Sequence, residues 1–282
     1  MYIVGDLMKK PITVSKDCTI SNAIKKLLDE KISRLLVSDG NKITSIVTEK
    51  DLSFFLLSDK TERTLDQVYL KEIMKPVFSI EKSVTIKECA KTMIEKGIGS
   101  LAVKSDGKIV GIITRTDLIK YYAENFAGKK TVGEYSSPDY AWAYSDVPLY
   151  SVVEKMRDKK ISRLILRDKN ETPKGILSFR DLFWVSLYRG NEESLIDNTN
   201  PDVPIFFKRK GFISESGFGG TTTAEQVMTN KIITVNDDDD LAKICNILLE
   251  KAIKGVGVCS RKGTMIGILS KTDIVRCMSF MN

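Results

Sequence analysis

The sequence predicts an α/β chain of the α+β type, in which one β-α-β-β-α unit is repeated four times. Three observations lead to this fold class. An apolar stripe with helical spacing recurs four times, and two short strand-like apolar runs follow each stripe. Each second run ends in a hydroxyl residue, two variable residues and an aspartate. Such a period indicates one supersecondary unit copied along the chain.

The first recurrent element is an amphipathic helix. From Ile20, apolar residues stand at i, i+3, i+4, i+7 and i+8, which places them on one helical face. Thr19, Thr85 and Asp240 precede three of the stripes and are residue types that cap helix N-termini. The four stripes are Ile20, Ala23, Ile24, Leu27 and Leu28; Ile86, Cys89, Ala90, Met93 and Ile94; Leu149, Val152, Val153 and Met156; and Leu241, Ile244, Cys245, Leu248 and Leu249.

A predicted β-hairpin follows each stripe. In the first copy the apolar runs are residues 35–37 and 43–47, and the sequence Ser38-Asp39-Gly40-Asn41 between them is typical of a turn. The other hairpins pair residues 101–103 with 109–113, 164–166 with 175–177, and 256–258 with 265–269.

A hydroxyl-x-x-Asp quartet closes each hairpin and opens a second helix. The quartet aspartates are spaced by 66, 64 and 92 residues, and the first residues of the stripes by 66, 63 and 92, so the two landmarks agree within one residue. We therefore predict repeats over 1–60, 66–126, 130–189 and 224–282, with a connector over 190–223. The quartets are Thr48-Glu49-Lys50-Asp51, Thr114-Arg115-Thr116-Asp117, Ser178-Phe179-Arg180-Asp181 and Ser270-Lys271-Thr272-Asp273.

Composition excludes several kinds of function. The 282 residues include no histidine, so Ser-His-Asp, Cys-His and histidine-metal chemistry are excluded. The five cysteines form no CxxC pair, which argues against a zinc ribbon or a disulfide framework. No apolar run reaches 18 residues and no signal peptide is evident, so we expect a cytoplasmic protein without a membrane span. A net charge of +7 gives weak support for an anionic partner.

The quartet has two interpretations. In the first, hydroxyl and carboxylate form a capping box that satisfies backbone donors at the helix start. In the second, the helix N-terminus binds a phosphate while the carboxylate accepts the hydroxyls of a ribose, which together describe a nucleotide. Gly111, Gly175 and Gly267 stand three residues before the hydroxyl and would let a backbone or a flat ring approach closely, whereas Ser45 stands there in the first copy.

The repeats resemble cystathionine-β-synthase (CBS) domains, regulatory units that pair into nucleotide-binding Bateman modules. The resemblance rests on the four quartets and on the approach sequences Asp6-Leu7-Met8, Glu72-Ile73-Met74 and Gln226-Val227-Met228. It implies two Bateman modules packed into a disc. The layout, without an attached catalytic domain, is similar to that of the γ regulatory subunit of AMP-activated protein kinase. It also implies AMP, ADP or ATP as ligand, with no catalytic cofactor and no metal.

The resemblance further implies which residues contact the nucleotide. The quartet hydroxyls and aspartates would contact phosphate or ribose, and polar residues on the strand before each stripe would contact the base, with Trp142 at that position in the third copy. Because guanidinium groups bind phosphate bidentately, Arg34 and Arg163 are expected to face the clefts. The candidate residues are Thr13, Arg34, Thr48, Asp51, Ser79, Thr114, Asp117, Arg163, Ser178, Asp181, Thr234, Ser270 and Asp273.

Three alternatives compete with a nucleotide sensor. An enzyme is disfavoured, because the quartets are four equivalent sites and no Walker A or G-x-S-x-G motif occurs. A nucleic-acid binder is less favoured and would use the basic and aromatic residues of 206–212. S-adenosylmethionine-type ligands share adenosine but lack phosphate. The effector protein, the preferred nucleotide, the number of occupied clefts and a homodimer are left open.

Overall fold

The computed structural model describes residues 2–59, 61, 63–159, 161–183 and 221–281. The chain divides into two compact units. Unit 1 comprises Met1–Pro11, Val77–Tyr140 and Ile232–Asn282, and therefore holds the second and fourth repeats. Unit 2 comprises Ile12–Pro76 and Ala141–Lys231, and holds the first and third.

The β-α-β-β-α unit occurs four times, which confirms the predicted fold class. After a short helix α1 (Val4–Leu7), repeat 1 contains β1 (Thr13–Ser15), α2 (Ile20–Asp29), β2 (Arg34–Asp39), β3 (Lys42–Thr48) and α3 (Glu49–Ser58). Repeat 2 contains β4 (Lys75–Pro76), β5 (Ser79–Glu81), α4 (Ile86–Glu95), β6 (Ser100–Ser105), β7 (Lys108–Thr114) and α5 (Arg115–Asn125), after a 3-10 turn at Leu70–Glu72.

The second half of the chain follows the same order. Repeat 3 contains β8 (Trp142–Tyr144), α6 (Leu149–Asp158), β9 (Arg163–Arg167) and β10 (Pro173–Ser178), and residues 179–183 are helical. Repeat 4 contains β11 (Thr229–Asn230), β12 (Thr234–Asn236), α7 (Leu241–Glu250), β13 (Gly255–Cys259), β14 (Met265–Ser270) and α8 (Lys271–Phe280), after a 3-10 turn at Ala224–Gln226. Of the predicted connector over 190–223, all but the last three residues lie outside the described residues.

The stripe helices begin where their caps predict. The side chains of Thr19, Thr85 and Asp240 each accept a hydrogen bond from a backbone N–H in the first turn. The stripe of α2 is buried against Leu35, Val37 and Val47 of its own hairpin. In unit 1, α4 packs on α8 and α5 on α7, so the second and fourth repeats share one core.

Each hairpin is antiparallel, and the strand before the stripe helix joins it in parallel. The fourth position at the edge of each sheet is occupied by the first residues of another repeat. We call residues 8–11, 74–76, 136–138 and 228–230 the lead-in segments. β4 pairs with β3 and β11 with β10, while Lys9 bridges Ile112 of β7 and Ser137 bridges Ile268 of β14. The lead-in segments are therefore exchanged between successive repeats, 1 with 2 and 3 with 4.

Candidate functional site

One face of each sheet packs on the helices, and the opposite face holds the candidate residues. In repeat 1 a row of paired residues crosses four strands, from Thr13 through Leu36 and Ile46 to Lys75. Paired residues project to the same face, and so do residues two apart on one strand. The pair Arg34 and Thr48 therefore lies on this face as well. We call this surface the site face.

The other three repeats have the same arrangement. The structure brings Ser79, Trp142 and Thr234 to the position of Thr13, and Ser100, Arg163 and Gly255 to the position of Arg34. The site-face rows are Ser79, Ala102, Ile112 and Lys9; Trp142, Ile165, Ile176 and Thr229; and Thr234, Gly257, Ile268 and Ser137. The residue pairs next to these rows are Ser100 with Thr114, Arg163 with Ser178, and Gly255 with Ser270.

All four quartets form the predicted capping contacts. Oδ2 of Asp117 accepts hydrogen bonds from the backbone N–H of Thr114 at 2.9 Å and from its hydroxyl at 2.7 Å. Asp51, Asp181 and Asp273 accept the same two bonds from Thr48, Ser178 and Ser270. Three of these aspartates are buried and Asp181 is half-buried. Capping therefore uses only one carboxylate oxygen of each aspartate.

The second oxygen contacts the lead-in segment on the same sheet. Lys9 Nζ lies 2.7 Å from Oδ1 of Asp117, and Lys75 forms the equivalent ion pair with Asp51. The hydroxyl of Thr229 donates to Asp181 Oδ1 at 2.8 Å. Asp273 Oδ1 accepts from Ser137 at 3.3 Å and from Arg276 at 3.0 Å.

The sequence analysis did not identify these lead-in residues. The sequence contained one signal for them, which is their common position. Lys9, Lys75 and Thr229 each directly follow the methionine of an approach sequence. Ser137 occupies the same place in a segment without that methionine. Three different residue types, lysine, threonine and serine, in one position made the pattern hard to recognise before the pairing of the strands was known.

The glycines three residues before the quartet hydroxyls leave room for the lead-in segments to pack closely against the sheet. A Cβ added at Gly111 would lie 2.6 Å from the sulfur of Met8, and one at Gly175 would lie 2.7 Å from the carbonyl oxygen of Thr229. At Gly267 it would lie 2.9 Å from the Ser137 carbonyl oxygen. A backbone therefore approaches closely at Gly175 and Gly267, as predicted, whereas the group that approaches Gly111 is the side chain of Met8.

The variable quartet positions connect repeats 2 and 4 within unit 1. Arg115 donates to the hydroxyl of Thr272 at 2.7 Å and to the carbonyl oxygen of Ile98 at 2.9 Å. Lys271 donates in the opposite direction to the hydroxyl of Thr116 at 3.1 Å. Burial lowers the pKa of Arg115, although the negative charge of Asp273 acts against this shift. Arg115 therefore holds two helix starts together.

Trp142 is enclosed by two cationic side chains. The guanidinium carbon of Arg167 lies 4.9 Å from the centre of the Trp142 ring, and Lys155 Nζ lies 5.5 Å from it. Lys155 also donates to the Trp142 carbonyl oxygen at 2.6 Å. Cation–π contacts of this kind hold an aromatic ring in place. The position of Thr13 in repeat 1 is thus taken in repeat 3 by a large, fixed ring.

A model of the CBS domain matches residues 4–58, 70–124, 132–187 and 224–279, well over half of the chain. The chain belongs to the CBS-domain family. Its four repeats are thus four CBS repeats, the regulatory units that the sequence resembles.

Solved structures of similar fold cover almost the whole chain. The crystal structure of MJ1225 from Methanocaldococcus jannaschii, described as a proposed archaeal homologue of g-AMPK, aligns over 98% of this chain and 99% of its own. The TM-score is 0.75 at 21% identity. A conserved protein from Pyrococcus horikoshii aligns over 98% of this chain and all of its own length, with a TM-score of 0.65 at 17% identity. These likenesses show the fold.

Sequence matches cover shorter segments. MJ1225 is 28% identical over 184 residues, 61% of this chain and 65% of that protein. MK0525 of Methanopyrus kandleri is 31% identical over 121 residues, 42% of this chain and 61% of that protein. The matched part of the chain therefore spans somewhat less than two thirds of these relatives.

The described residues lack two features that would point to a membrane or to a metal. In that part of the chain, no helix has the length and apolar character needed to cross a bilayer. Among the same residues, no three Cys, Asp or Glu side chains are grouped so as to hold a metal ion.

Proposed function

We propose that this CBS-domain protein is a non-catalytic sensor that binds AMP, ADP or ATP on the site faces of its repeats. The observation that carries the proposal is the pairing of Arg34 with Thr48 and of Arg163 with Ser178. In each pair a guanidinium group and a quartet hydroxyl start from neighbouring positions on one face, next to a helix N-terminus. Guanidinium groups, hydroxyls and helix N-termini all favour phosphate.

The rest of the site face suits a nucleoside. With strands about 4.8 Å apart, Thr13 lies about 10 Å from Ile46, a separation on the scale of a nucleotide between its base and its phosphate. The half-buried Ile46 next to Leu36 offers apolar surface between the polar ends. We assign the base to the Thr13 side of the row and ribose and phosphate to the quartet side.

The four clefts are proposed to differ in their ligands. Repeat 1 combines Arg34 with Lys75, whereas repeat 2 has Ser100 in the arginine position and Lys9 on its lead-in segment. In repeat 3 the ring of Trp142, held by Arg167 and Lys155, occupies the proposed base position. We therefore propose repeat 1 as the strongest nucleotide site and repeat 3 as the weakest.

A sensor of this kind acts through a change of conformation. A bound nucleotide shifts an equilibrium only by its difference in affinity for two states. We propose that a separate effector protein reads this shift and that no bond is broken, since the quartets are four equivalent sites and the chain has no histidine. Energy sensing in the cytoplasm is the corresponding biological role.

Thermal denaturation with parallel ligands tests the proposal. AMP, ADP, ATP, S-adenosylmethionine and a single-stranded oligonucleotide are each added at a hundredfold excess over their Kd. One occupied site then adds about 2.7 kcal/mol, which is several degrees at roughly 2 to 4 °C per kcal/mol for a chain of this size. A shift with the oligonucleotide alone, lost at high salt, would instead support the nucleic-acid alternative. That alternative uses residues 206–212, which lie outside the described residues.

A further inference from the structure

Lys9 and Lys75 occupy equivalent places at the edge of two different sheets. Lys9 pairs with Ile112 through reciprocal backbone hydrogen bonds of 2.9 Å, and Lys75 pairs with Ile46 in the same register. Both isoleucines belong to site-face rows, so both lysine side chains start from the site face. Lys9 stands at one end of its row and Ser79 at the other, and Lys75 and Thr13 stand at the two ends of theirs. Ser79 and Thr13 are both candidate base contacts.

Each ion pair joins an exposed lysine to a buried carboxylate. The side chains of Lys9 and Lys75 are 68% and 63% exposed, whereas those of Asp117 and Asp51 are 5% and 9% exposed. The aspartates are fixed by their capping bonds, and the lysines are held only at the tips of flexible four-carbon stems. An ion pair with so exposed a lysine contributes little stability, so the ammonium group can change partner at small cost.

We propose that Lys9 and Lys75 exchange partners when a nucleotide binds, and thereby select ligands that carry phosphate. The ammonium group leaves Oδ1 of the aspartate and binds the phosphate, while Oδ1 accepts a ribose hydroxyl in its place. The inference rests on the proposed function and extends it to selectivity between ligands. A ligand with ribose but no phosphate must displace the lysine without offering it a new partner.

Repeats 3 and 4 differ from repeats 1 and 2 because no lysine contacts their quartet aspartates from a lead-in segment. Their lead-in residues are Thr229 and Ser137, which are neutral and contact the aspartates through hydroxyl groups. Arg276, which also contacts Asp273, lies on α8 of the same repeat and not on a lead-in segment. Phosphate selection by a lead-in cation is therefore a property of repeats 1 and 2 alone among the four.

Isothermal titration of AMP and adenosine tests the exchange. The variant Lys9→Met/Lys75→Met keeps most of the side-chain volume and removes both charges. We expect its affinity for AMP to fall about tenfold or more and its affinity for adenosine to rise, because Oδ1 is then unoccupied by lysine. Lys10→Met is the matched control, since Lys10 is exposed and forms no ion pair with any described residue. Lys9→Arg/Lys75→Arg retains the charges and should preserve the preference for AMP.

The outcomes separate the inference from the function on which it rests. Equal weakening of AMP and adenosine in the Met variant would show that the lysines only support the lead-in segments, and would overturn the inference alone. Unchanged affinity for both ligands would overturn it too. Wild-type protein that binds neither ligand, nor ADP, ATP or S-adenosylmethionine, overturns the proposed function and the inference with it.

Discussion

Lys9 Nζ lies 2.7 Å from Oδ1 of Asp117, so the segment that leads into repeat 1 contacts the quartet of repeat 2. The other oxygen of the same carboxylate caps α5 through Thr114. Asp117 thus has a structural role that can be measured without any ligand. Its proposed ribose contact adds to this role, because capping and ligand binding use different oxygens.

Asp117→Ala should lower the free energy of unfolding by about 0.5 to 3 kcal/mol while the fold is retained. Loss of an N-cap partner costs roughly 0.5 to 2 kcal/mol, and loss of an ion pair to an exposed lysine about 0 to 1 kcal/mol. Urea denaturation followed by circular dichroism measures the change. Asp139→Ala is the control, because Asp139 is exposed and its side chain forms no hydrogen bond or ion pair with the described residues.

The same variant separates the two interpretations of the quartet. If Asp117 binds ribose, Asp117→Ala also reduces the ligand-induced rise in Tm by the contribution of one site. A destabilised protein with the full wild-type ligand shift would mean that capping is the only role of Asp117.

Gly111→Ala should destabilise unit 1 by about 1 to 3 kcal/mol, because the new Cβ would overlap the side chain of Met8. The nearest atoms are all from Met8, so a second substitution, Met8→Ala, should relieve the overlap. In a double-mutant cycle, the double variant should be more stable than the sum of the single changes predicts. If the effects of the two substitutions simply add, the destabilisation by Gly111→Ala does not come from overlap with Met8.

Gly175→Ala should respond differently to the equivalent second substitution. A Cβ there would meet the Met228 sulfur at 2.5 Å and also the Thr229 carbonyl oxygen at 2.7 Å. Met228→Ala removes only the first overlap, since the carbonyl belongs to the backbone of β11. The coupling energy should therefore be smaller than for Gly111 and Met8, as measured by urea denaturation of both cycles. Equal rescue at the two sites would contradict the close approach of β11.

Local patterns predicted the repeat, and long-range pairing determined the details of the site. The stripe from Ile20 and the quartets follow from helical periodicity and capping chemistry, which act within a few residues. The contact between Lys9 and Asp117 depends on an exchange of lead-in segments between repeats, which no local pattern encodes. The burial of Arg115 was missed for the same reason, because its partner Thr272 belongs to another repeat.

Arg34→Met should weaken AMP binding in repeat 1 by about 10- to 150-fold and leave adenosine binding nearly unchanged. The estimate corresponds to a charge-assisted hydrogen bond of about 1.5 to 3 kcal/mol, at about 1.4 kcal/mol for each factor of ten. Isothermal titration with both ligands measures the ratio. Arg157→Met serves as control, because Arg157 is exposed on α6 and pairs with Glu154 and Asp158. Equal loss of AMP and adenosine would argue against a phosphate contact.

The free energy of unfolding should decline above pH 9, and ionisation of the Cys89 thiol in the unfolded chain should cause part of this decline. Burial, assisted by the charge of Asp117, raises the pKa of the Cys89 thiol to about 12. Between about pH 9 and pH 12 the unfolded chain loses this proton and the folded chain keeps it, so the free energy of unfolding falls by about 1.4 kcal/mol per pH unit from this group. Below pH 9 both states are protonated and the contribution is constant.

Cys89→Val and Cys89→Ala remove the titrating group and should make the decline above pH 9 shallower by the same amount. Cys89 is fully buried, so Ala leaves a small cavity at this position whereas Val adds a methyl-sized group to it. The stabilities of the two variants at pH 8 should therefore differ while their slopes agree. Urea denaturation at intervals from pH 8 to pH 11 measures both quantities. A slope identical to that of wild type in both variants would mean that the Cys89 thiol ionises as readily in the folded chain as in the unfolded one.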